Sequence, residues 1–138
     1  ELKFQLSHSK KLIEEQSKKY PQFVVLGDFN IAPTDRDVHN PKSWKDKILC
    51  SVPERNALQK IYDVGFVDTF RQFEQEDHTF SWWDYRGEGF RYDKGLRIDH
   101  LLCSPEAADK LHACEVITDE RGKEKPSDHA PVIAHFSL

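Results

Sequence analysis

The apolar residues of this chain fall into short runs and amphipathic stretches that follow no regular strand–helix–strand rhythm. A doubly wound parallel sheet needs strict alternation, because each crossover helix connects two parallel strands and covers the sheet. The irregular order here indicates a mixed α/β (α+β) layered sandwich. A length of 138 residues fits one domain. We therefore expect one mixed α/β unit.

Periodicity and the residues that start or stop it place the individual elements. Leu2, Leu6, Ile13 and Tyr20 recur at helical spacing, and Pro21 ends that helix. The predicted helices cover residues 2–20, 53–65 and 105–113. The predicted strands cover residues 23–26, 66–70, 79–83, 97–103, 114–118 and 132–136.

Composition excludes several classes of protein. The chain is 38% hydrophobic and 32% charged, and no apolar run approaches the roughly 18 residues of a membrane span. Its 3 cysteines are an odd number with no Cys-x-x-Cys pair, which argues against a disulfide framework and favours a reducing, cytoplasmic compartment. A net charge of −4 excludes a uniformly basic nucleic-acid coat. Because the chain has no methionine, we expect it to be part of a longer protein.

Polar clusters stand where apolar runs end. Asp28 and Asn30 follow the first predicted strand and point the same way if strand geometry continues. Such a pair can hold a divalent cation, orient a water molecule or bind a phosphate oxygen. On spacing alone an ordinary turn is favoured, because Gly, Asp and Asn are common turn residues.

Two further clusters show the same pattern. Asp99 alternates with Arg97 along a predicted strand, and a salt bridge would explain both residues. Asp128 and His129 precede the last strand, where a solvated loop would explain them. A histidine in that place can also bind a metal, act as a general base or contact a phosphate.

The three clusters together indicate one site. If their strands are neighbours, Asp99 hydrogen-bonds His129 and fixes its tautomer. Asp28, Asn30, Asp128 and His129 then surround an anionic group together with a hard cation, as in metal-assisted phosphodiester hydrolysis. Oxygen ligands favour Mg²⁺ or Mn²⁺. A serine protease and a zinc site are disfavoured, because Gly-x-Ser-x-Gly and His-Glu-x-x-His are absent.

Aromatic and cationic side chains interleave between residues 79 and 97. Trp82 and Trp83 are followed by Arg86, Arg91 and Arg97. Rings that stack on bases and cations that meet phosphates suit a nucleic-acid surface. A core hairpin explains the tryptophans equally well, and neighbouring acids weaken the electrostatic argument. Both interpretations stay open.

Five segments carry a specific resemblance. They are Gly-Asp-Phe-Asn-Ile-Ala-Pro-Thr-Asp at 27–35, Asn-Pro-Lys at 40–42, Phe-Ser-Trp-Trp-Asp-Tyr-Arg at 80–86, Gly-Leu-Arg-Ile-Asp at 95–99 and Lys-Pro-Ser-Asp-His-Ala-Pro-Val at 125–132. In this order they resemble the exonuclease III family of abasic-site endonucleases, in the endonuclease/exonuclease/phosphatase superfamily. The resemblance implies a four-layer, DNase I-like β-sandwich flanked by helices, of which residues 1–138 form about the C-terminal half.

The resemblance also implies an activity. The implied protein would be a Mg²⁺-dependent (or Mn²⁺-dependent) DNA repair nuclease that cuts double-stranded DNA 5′ to abasic sites and trims 3′ ends. Asp28 would orient or deprotonate the attacking water, Asn30 would hold it or the phosphate, and Asp99 would pair with His129 at the scissile phosphate. The implied metal residues are Asp28, Asn30, Asp128 and His129. The implied DNA-binding residues are Trp82, Trp83, Arg86, Arg91, Leu96 and Arg97, with Trp82, Leu96 and Ile98 near the pocket for the base-less sugar.

The family's first half, with an early-strand Asn, a metal-binding Glu and an active-site Tyr, has no counterpart here. We therefore expect the isolated fragment to be inactive, and its apolar face to be covered by the missing half or by a second copy. Two other functions stay open. One is a phosphatase of the same superfamily that acts on a phospholipid or inositol phosphate, which would not need the Trp-rich hairpin. The other is a non-catalytic DNA-binding fragment.

Overall fold

The two long helices form where apolar residues recur at helical spacing. This computed structural model describes the backbone of residues 2–138 and the side chains from residue 8 onwards. Its helices are α1 (Leu2–Lys19), α2 (Pro41–Trp44), α3 (Val52–Asp63) and α4 (Pro105–Ala108). The Ser51 hydroxyl caps α3 by accepting from the Glu54 amide. Ile13 of α1 is buried with Leu58 and Ile61 of α3, so apolar packing joins the two long helices.

Antiparallel pairing organises the strands. They are β1 (Val24–Asp28), β2 (Val67–Asp68), β3 (Trp82–Trp83), β4 (Gly95–Leu96), β5 (Asp99–Cys103), β6 (Leu111–Val116) and β7 (Val132–Phe136). The order β1-β5-β2 gives a three-stranded sheet, and β3–β4 and β6–β7 form two separate pairs. This mixture of helices and antiparallel strands confirms the predicted mixed α/β class. None of the helices that the structure describes has the length and apolar character needed to cross a bilayer.

The helix predicted over residues 105–113 is the clearest error of element type. It begins as expected, with the Ser104 hydroxyl capping α4, but α4 ends at Ala108. The chain then enters β6, whose Leu111 pairs with Phe136 of β7. Tertiary pairing with a distant strand therefore overrides the local helical pattern.

Other boundaries also differ from the predicted ones. The strands predicted over residues 66–70, 79–83 and 97–103 are shorter in the structure, as β2, β3 and β5. The strand predicted over 132–136 is confirmed as β7. Tyr20 is exposed, so it does not extend the buried face of α1, whereas the side chains of Leu2 and Leu6 lie outside the described residues.

A buried ion network lies beneath the loop that follows β1. Arg97 is 1% exposed and donates to Asp37 and to Asp68, each at 2.7 Å. Its Nη1 lies 3.2 Å from Nδ1 of His100, whose Nε2 lies 2.8 Å from the Ile31 carbonyl oxygen. Because a guanidinium only donates and a carbonyl only accepts, His100 is neutral and carries its proton on Nε2. We call Arg97, Asp37, Asp68 and His100 the interior network.

Burial and charge act together on the pKa values of this network. Burial lowers the pKa of His100 to about 4, and the charge of Arg97 acts in the same direction. Burial alone would raise the pKa of Asp37, but Arg97 and Arg71 hold it below its ordinary value. The structure thus contradicts the prediction that Arg97 contacts DNA, because its charged atoms are buried and paired.

Candidate active site

Two carboxylates meet at one edge of the central sheet. Asp28 is the last residue of β1 and stands opposite Asp99, the first residue of β5. Because the two strands run antiparallel, the end of one lies beside the beginning of the other. The Asp28 side chain is 38% exposed and that of Asp99 is 18% exposed, so solvent reaches both.

His129 reaches the same edge from the segment before β7. That segment is held against β3, since Trp82 forms a bridge with His129 and the Ala130 amide donates to the Ser81 carbonyl at 2.8 Å. Nδ1 of His129 lies 2.7 Å from Oδ2 of Asp99. The sequence-based prediction of an Asp99–His129 hydrogen bond is therefore confirmed. We call Asp28, Asp99 and His129 the rim cluster.

The hydrogen bond leaves the second nitrogen of His129 available. A carboxylate can only accept, so Nδ1 donates to Asp99 and Nε2 faces away from it. Nε2 lies 3.7 Å from Oδ2 of Asp28 and 3.9 Å from Oδ1 of Asp128. Both distances exceed a hydrogen bond, so Nε2 and two carboxylate oxygens border a common space that a ligand atom could enter.

Burial sets the charge balance of the rim cluster. It raises the pKa of Asp99 above its ordinary value, while hydrogen bonds from His129 and Ser81 act in the opposite direction. With Asp28 and Asp128 nearby, three carboxylates surround one imidazole. A phosphate would be repelled from such a group unless a cation accompanied it. The charge balance therefore favours a metal-assisted site over a purely protein one.

Asn30 is placed by a turn and not by a continuing strand. Its backbone has φ 54°, in the left-handed region, and its amide donates to Oδ1 of Asp28 at 2.9 Å. The strand does not continue through Asn30, and the turn favoured from the spacing of Gly, Asp and Asn is what the structure shows. The Asx turn orients the Asp28 carboxylate, because it occupies Oδ1 and leaves Oδ2 facing His129.

Asp128 borders the rim cluster and is held by an aromatic side chain. Nε1 of Trp82 donates to Oδ2 of Asp128 at 3.1 Å, and the Trp83 amide donates to the Asp128 carbonyl at 3.0 Å. Trp82 is half-buried, so its ring also reaches the surface beside the site. The resemblance assigns Asp128 to the metal and Trp82 to DNA, and the structure shows a direct hydrogen bond between them.

The donor set fits a divalent cation. One atom from each of Asp28, Asp99 and His129 lies within 4.8 Å of the other two. Two carboxylates with one imidazole are common ligands of hard cations. Sequence reasoning had placed Asp28, Asn30, Asp128 and His129 at the metal and had given Asp99 a pairing role only. The geometry adds Asp99 to the possible ligands.

The predicted DNA-binding residues divide by burial. Trp83 and Leu96 lie in the interior with Arg97, and the indole Nε1 of Trp83 donates to Asp93 at 2.9 Å. The structure therefore contradicts direct DNA contact by Trp83 and Leu96 as well. Their place in the core shows that the core-hairpin interpretation was right for this part of the segment.

Arg86 and Arg91 remain on the surface. The Arg86 side chain is 91% exposed and pairs with Asp84 at 2.8 Å. Arg91 pairs with Glu88 at 3.3 Å and lies over the exposed ring of Tyr92. Both cations can exchange these weak surface pairs for a phosphate.

Two residues near the site escaped the sequence analysis. Ser81 is fully buried and its hydroxyl accepts from two backbone amides of the β5 segment. Arg121, in a run of charged residues after β6, is buried, donates to the Trp83 carbonyl at 3.1 Å and stacks on Tyr85. Ser81 could have been found from the sequence because it stands next to Trp82. A run of charged residues, by contrast, gives no local sign that Arg121 is buried.

Comparison with known proteins places this chain in a family. The pattern describing the Endonuclease/Exonuclease/phosphatase family matches residues 3–129. The exodeoxyribonuclease III of Haemophilus influenzae is 40% identical over 131 residues, covering 90% of this chain and 49% of the relative. An exodeoxyribonuclease of Bacillus subtilis is 32% identical over 121 residues, covering 87% and 46%.

Solved structures agree with these relatives. A 3′-5′ exonuclease from Neisseria meningitidis has 41% identity and a TM-score of 0.93, with 96% of this chain and 52% of that chain covered. A Neisseria 3′ phosphatase bound to a product DNA hairpin gives the same identity, TM-score and coverage. An AP endonuclease from Archaeoglobus fulgidus has 30% identity and a TM-score of 0.90, with 99% and 53% covered. The fold is thus DNase I-like, and the chain spans about half the length of these proteins.

Proposed function

Because this chain belongs to the endonuclease/exonuclease/phosphatase family, among its exonuclease III-like and AP endonucleases, we propose that it carries part of a metal-dependent DNA repair nuclease site. The proposed reaction is hydrolysis of the phosphodiester 5′ to an abasic site, with trimming of 3′ ends. The observation that carries the proposal is the 2.7 Å Asp99–His129 hydrogen bond beside Asp28. A cytoplasmic location stays a prediction.

Each rim residue has a role that its geometry permits. Oδ2 of Asp28 faces the open space and can orient or accept a proton from an attacking water. His129, whose proton on Nδ1 is held by Asp99, presents Nε2 to a phosphate oxygen, as a donor when it is protonated. Asn30 fixes the orientation of Asp28 through its backbone amide. These contacts position a phosphodiester for attack.

The residues also fit the metal that this chemistry requires. Asp28 and Asp128 offer the carboxylate oxygens, Asp99 and His129 lie close enough to complete or steer the set, and Asn30 holds Asp28 through its backbone amide. A bound Mg²⁺ or Mn²⁺ would polarise the phosphoryl oxygens and neutralise charge in the transition state. The protein's own contribution is to hold three acids and one imidazole at a solvent-accessible edge.

Surface residues beside the rim cluster suit double-stranded DNA. Trp82 borders the site through Asp128, and Arg86 and Arg91 lie on the exposed hairpin that follows β3. An aromatic ring can fill a gap left by a missing base, and arginines can meet the flanking phosphates. The Neisseria 3′ phosphatase, whose structure contains a DNA hairpin, supports DNA as the substrate.

The function test uses a fluorescent duplex with one abasic site, in Mg²⁺ and in excess EDTA. The chain is assayed alone and together with the part of the Haemophilus exodeoxyribonuclease III that its match leaves uncovered. We expect little or no cleavage by the chain alone, and EDTA-sensitive cleavage 5′ to the abasic site by the mixture. DNA binding without cleavage by the mixture would favour a non-catalytic module.

Two substitutions test the assigned residues in that mixture. Asp28→Asn and His129→Ala should each reduce cleavage by about 10²–10⁴-fold, the range for removing a positioned acid–base group. Arg36→Ala serves as the control, because Arg36 forms an exposed pair with Asp77 away from the rim cluster. Cleavage that survives both rim substitutions would contradict the assignment.

A substrate panel separates the alternatives within the family. It contains abasic duplex, duplex with a 3′-phosphate end, and a soluble inositol phosphate. Trp82, Arg86 and Arg91 lead us to expect turnover of the two DNA substrates only. Preference for the inositol phosphate would support the phosphatase alternative and contradict a DNA role.

We further propose that another polypeptide segment covers part of this fold. Leu26 of β1 and Ile133 of β7 are exposed apolar side chains on strands that end near the rim cluster. A segment equivalent to the part of the relatives that this chain does not span, or a second copy, would bury them. Sedimentation should show self-association or co-migration with the added Haemophilus part, whereas a stable monomer that ignores that part would contradict this.

A further inference from the structure

Ser81 connects the two segments that carry the rim cluster. It is fully buried directly before β3. Its amide donates to the Leu96 carbonyl at 3.0 Å, and its carbonyl accepts from the Ala130 amide at 2.8 Å. One residue therefore joins the strand leading to Asp99 with the residue that follows His129.

The Ser81 hydroxyl adds a second set of contacts to Asp99. Its Oγ accepts from the amide of Ile98 at 3.0 Å and from the amide of Asp99 at 3.1 Å. Two donors therefore occupy the oxygen, and the hydroxyl fixes the backbone at the start of β5, from which the Asp99 side chain extends.

We propose that Ser81 is a positioning residue that holds the Asp99 carboxylate against Nδ1 of His129. The Ser81 amide and carbonyl fix the separation of the two segments, and its hydroxyl fixes the Asp99 backbone, which sets where the Asp99 carboxylate lies. The 2.7 Å Asp99–His129 bond depends on both. The kinetic consequence rests on the proposed nuclease function, whereas the effect on His129 does not.

A purely structural Ser81 would behave differently. In that case the hydroxyl only satisfies two buried amides, and its loss would lower stability without altering His129. Ser104 provides a matched comparison at the far end of β5. It too is buried and its hydroxyl accepts from two backbone amides, those of Phe23 at 3.0 Å and Ala107 at 3.3 Å.

The test reads the tautomer of His129 in the 138-residue chain by long-range ¹H–¹⁵N NMR, at a pH where the ring is neutral. His129→Gln identifies its signals. The unsubstituted chain, Ser81→Thr and Ser104→Ala should show the proton on Nδ1. Ser81→Ala should shift His129 towards the Nε2–H form that a free imidazole prefers. An unchanged tautomer in Ser81→Ala would overturn the proposal.

Two further measurements cover loss of folding and loss of activity. If Ser81→Ala does not fold, Ser81→Cys takes its place, because a thiol is similar in size to the hydroxyl but forms only weak hydrogen bonds. The same shift of the His129 tautomer is then expected in Ser81→Cys. In the mixture with the Haemophilus part, Ser81→Ala should lower kcat by roughly 10–100-fold with little change in KM, as for other residues that orient an active-site group. Absence of cleavage by the unsubstituted mixture would contradict the nuclease function alone, since the tautomer is measured without turnover.

Discussion

The rim cluster and the interior network are built from the same kinds of side chain but differ in burial. Each combines aspartates with a histidine, and the residues from Arg97 to His100 contribute to both. In the interior network every charged group has a close partner, and the side chains of Arg97, Asp37 and Asp68 are at most 10% exposed. In the rim cluster His129 is 31% exposed, and its Nε2 has no oxygen within hydrogen-bond distance among the described residues.

This difference separates a structural role from a chemical one. A buried ion pair with full hydrogen bonding has no donor or acceptor left for a ligand, and removing one partner leaves an uncompensated charge. A partly exposed cluster of like charges retains free carboxylate oxygens that a cation can bind. Asp99 and His100 are adjacent in β5, but the Asp99 side chain lies at the solvent-accessible rim and the His100 side chain lies in the interior. Asp99 therefore has a chemical role and His100 a structural one.

Arg97→Met should give the largest change in stability. Without the guanidinium, Asp68 loses its cation and Asp37 keeps only Arg71, and we expect the free energy of unfolding to fall by about 3–5 kcal/mol. Urea unfolding measures it. Arg36→Ala, which breaks an exposed pair, is the control and should leave the midpoint nearly unchanged. A loss below about 1 kcal/mol for Arg97→Met would mean that the interior network is not the stabilising unit we describe.

His100 should make stability depend on pH. Its pKa is about 4 in the fold against 6.5 ordinarily, so below pH 6.5 the unfolded chain binds a proton that the folded chain does not. The free energy of unfolding should therefore fall by roughly 3 kcal/mol as the pH falls from 6.5 towards 4. Arg97 contacts the ring, and the charges of Asp68 and Asp37 also act on it.

His100→Gln isolates this contribution, because glutamine does not titrate. The difference in unfolding free energy between the two chains should change with pH across that window. Parallel curves for the two chains would show that His100 is not held neutral by the interior network.

Asp99→Asn should have a small effect on stability and a large one on cleavage. Burial raises the pKa of Asp99, so the Asp99 carboxyl group binds its proton more tightly in the folded chain than in the unfolded chain. Ionised Asp99 therefore costs stability at neutral pH, and the variant should be unchanged or gain less than about 1 kcal/mol in unfolding free energy. Asp37→Asn, on the interior network, is the matched control and should be clearly destabilised. Equal losses in both variants would remove the distinction between the two regions.

Arg86→Ala and Arg91→Ala should give the smallest effects, confined to DNA affinity. Each lost phosphate contact should reduce the slope of log affinity against log salt by about 1. Fluorescence anisotropy with duplex DNA at several salt concentrations measures this slope. Lys123→Ala, on the turn after β6, removes an exposed cation from a surface pair and should leave the slope unchanged. An identical slope in all the chains would remove the hairpin from the DNA surface.

Local sequence patterns were sufficient to predict part of the fold and part of the site. The first strand, the polar residues at its end and the last strand were predicted because apolar runs and the turn residues after them are local features. The Asp99–His129 pair was predicted from charge and spacing plus the resemblance. The role of Ser81 was missed, because its contacts at Leu96, Asp99 and Ala130 come from segments that meet only in the fold.

The sequence by itself determined which residues are able to do chemistry, since residue type and order fix where acids, imidazoles and aromatic rings occur. Only the tertiary structure decided which of them are buried. Arg97 finds Asp37 and Asp68 at sequence separations of 60 and 29 residues, and those contacts turn a predicted DNA contact into part of the core. Burial depends on all the segments that converge around a side chain, and no local pattern contains that information.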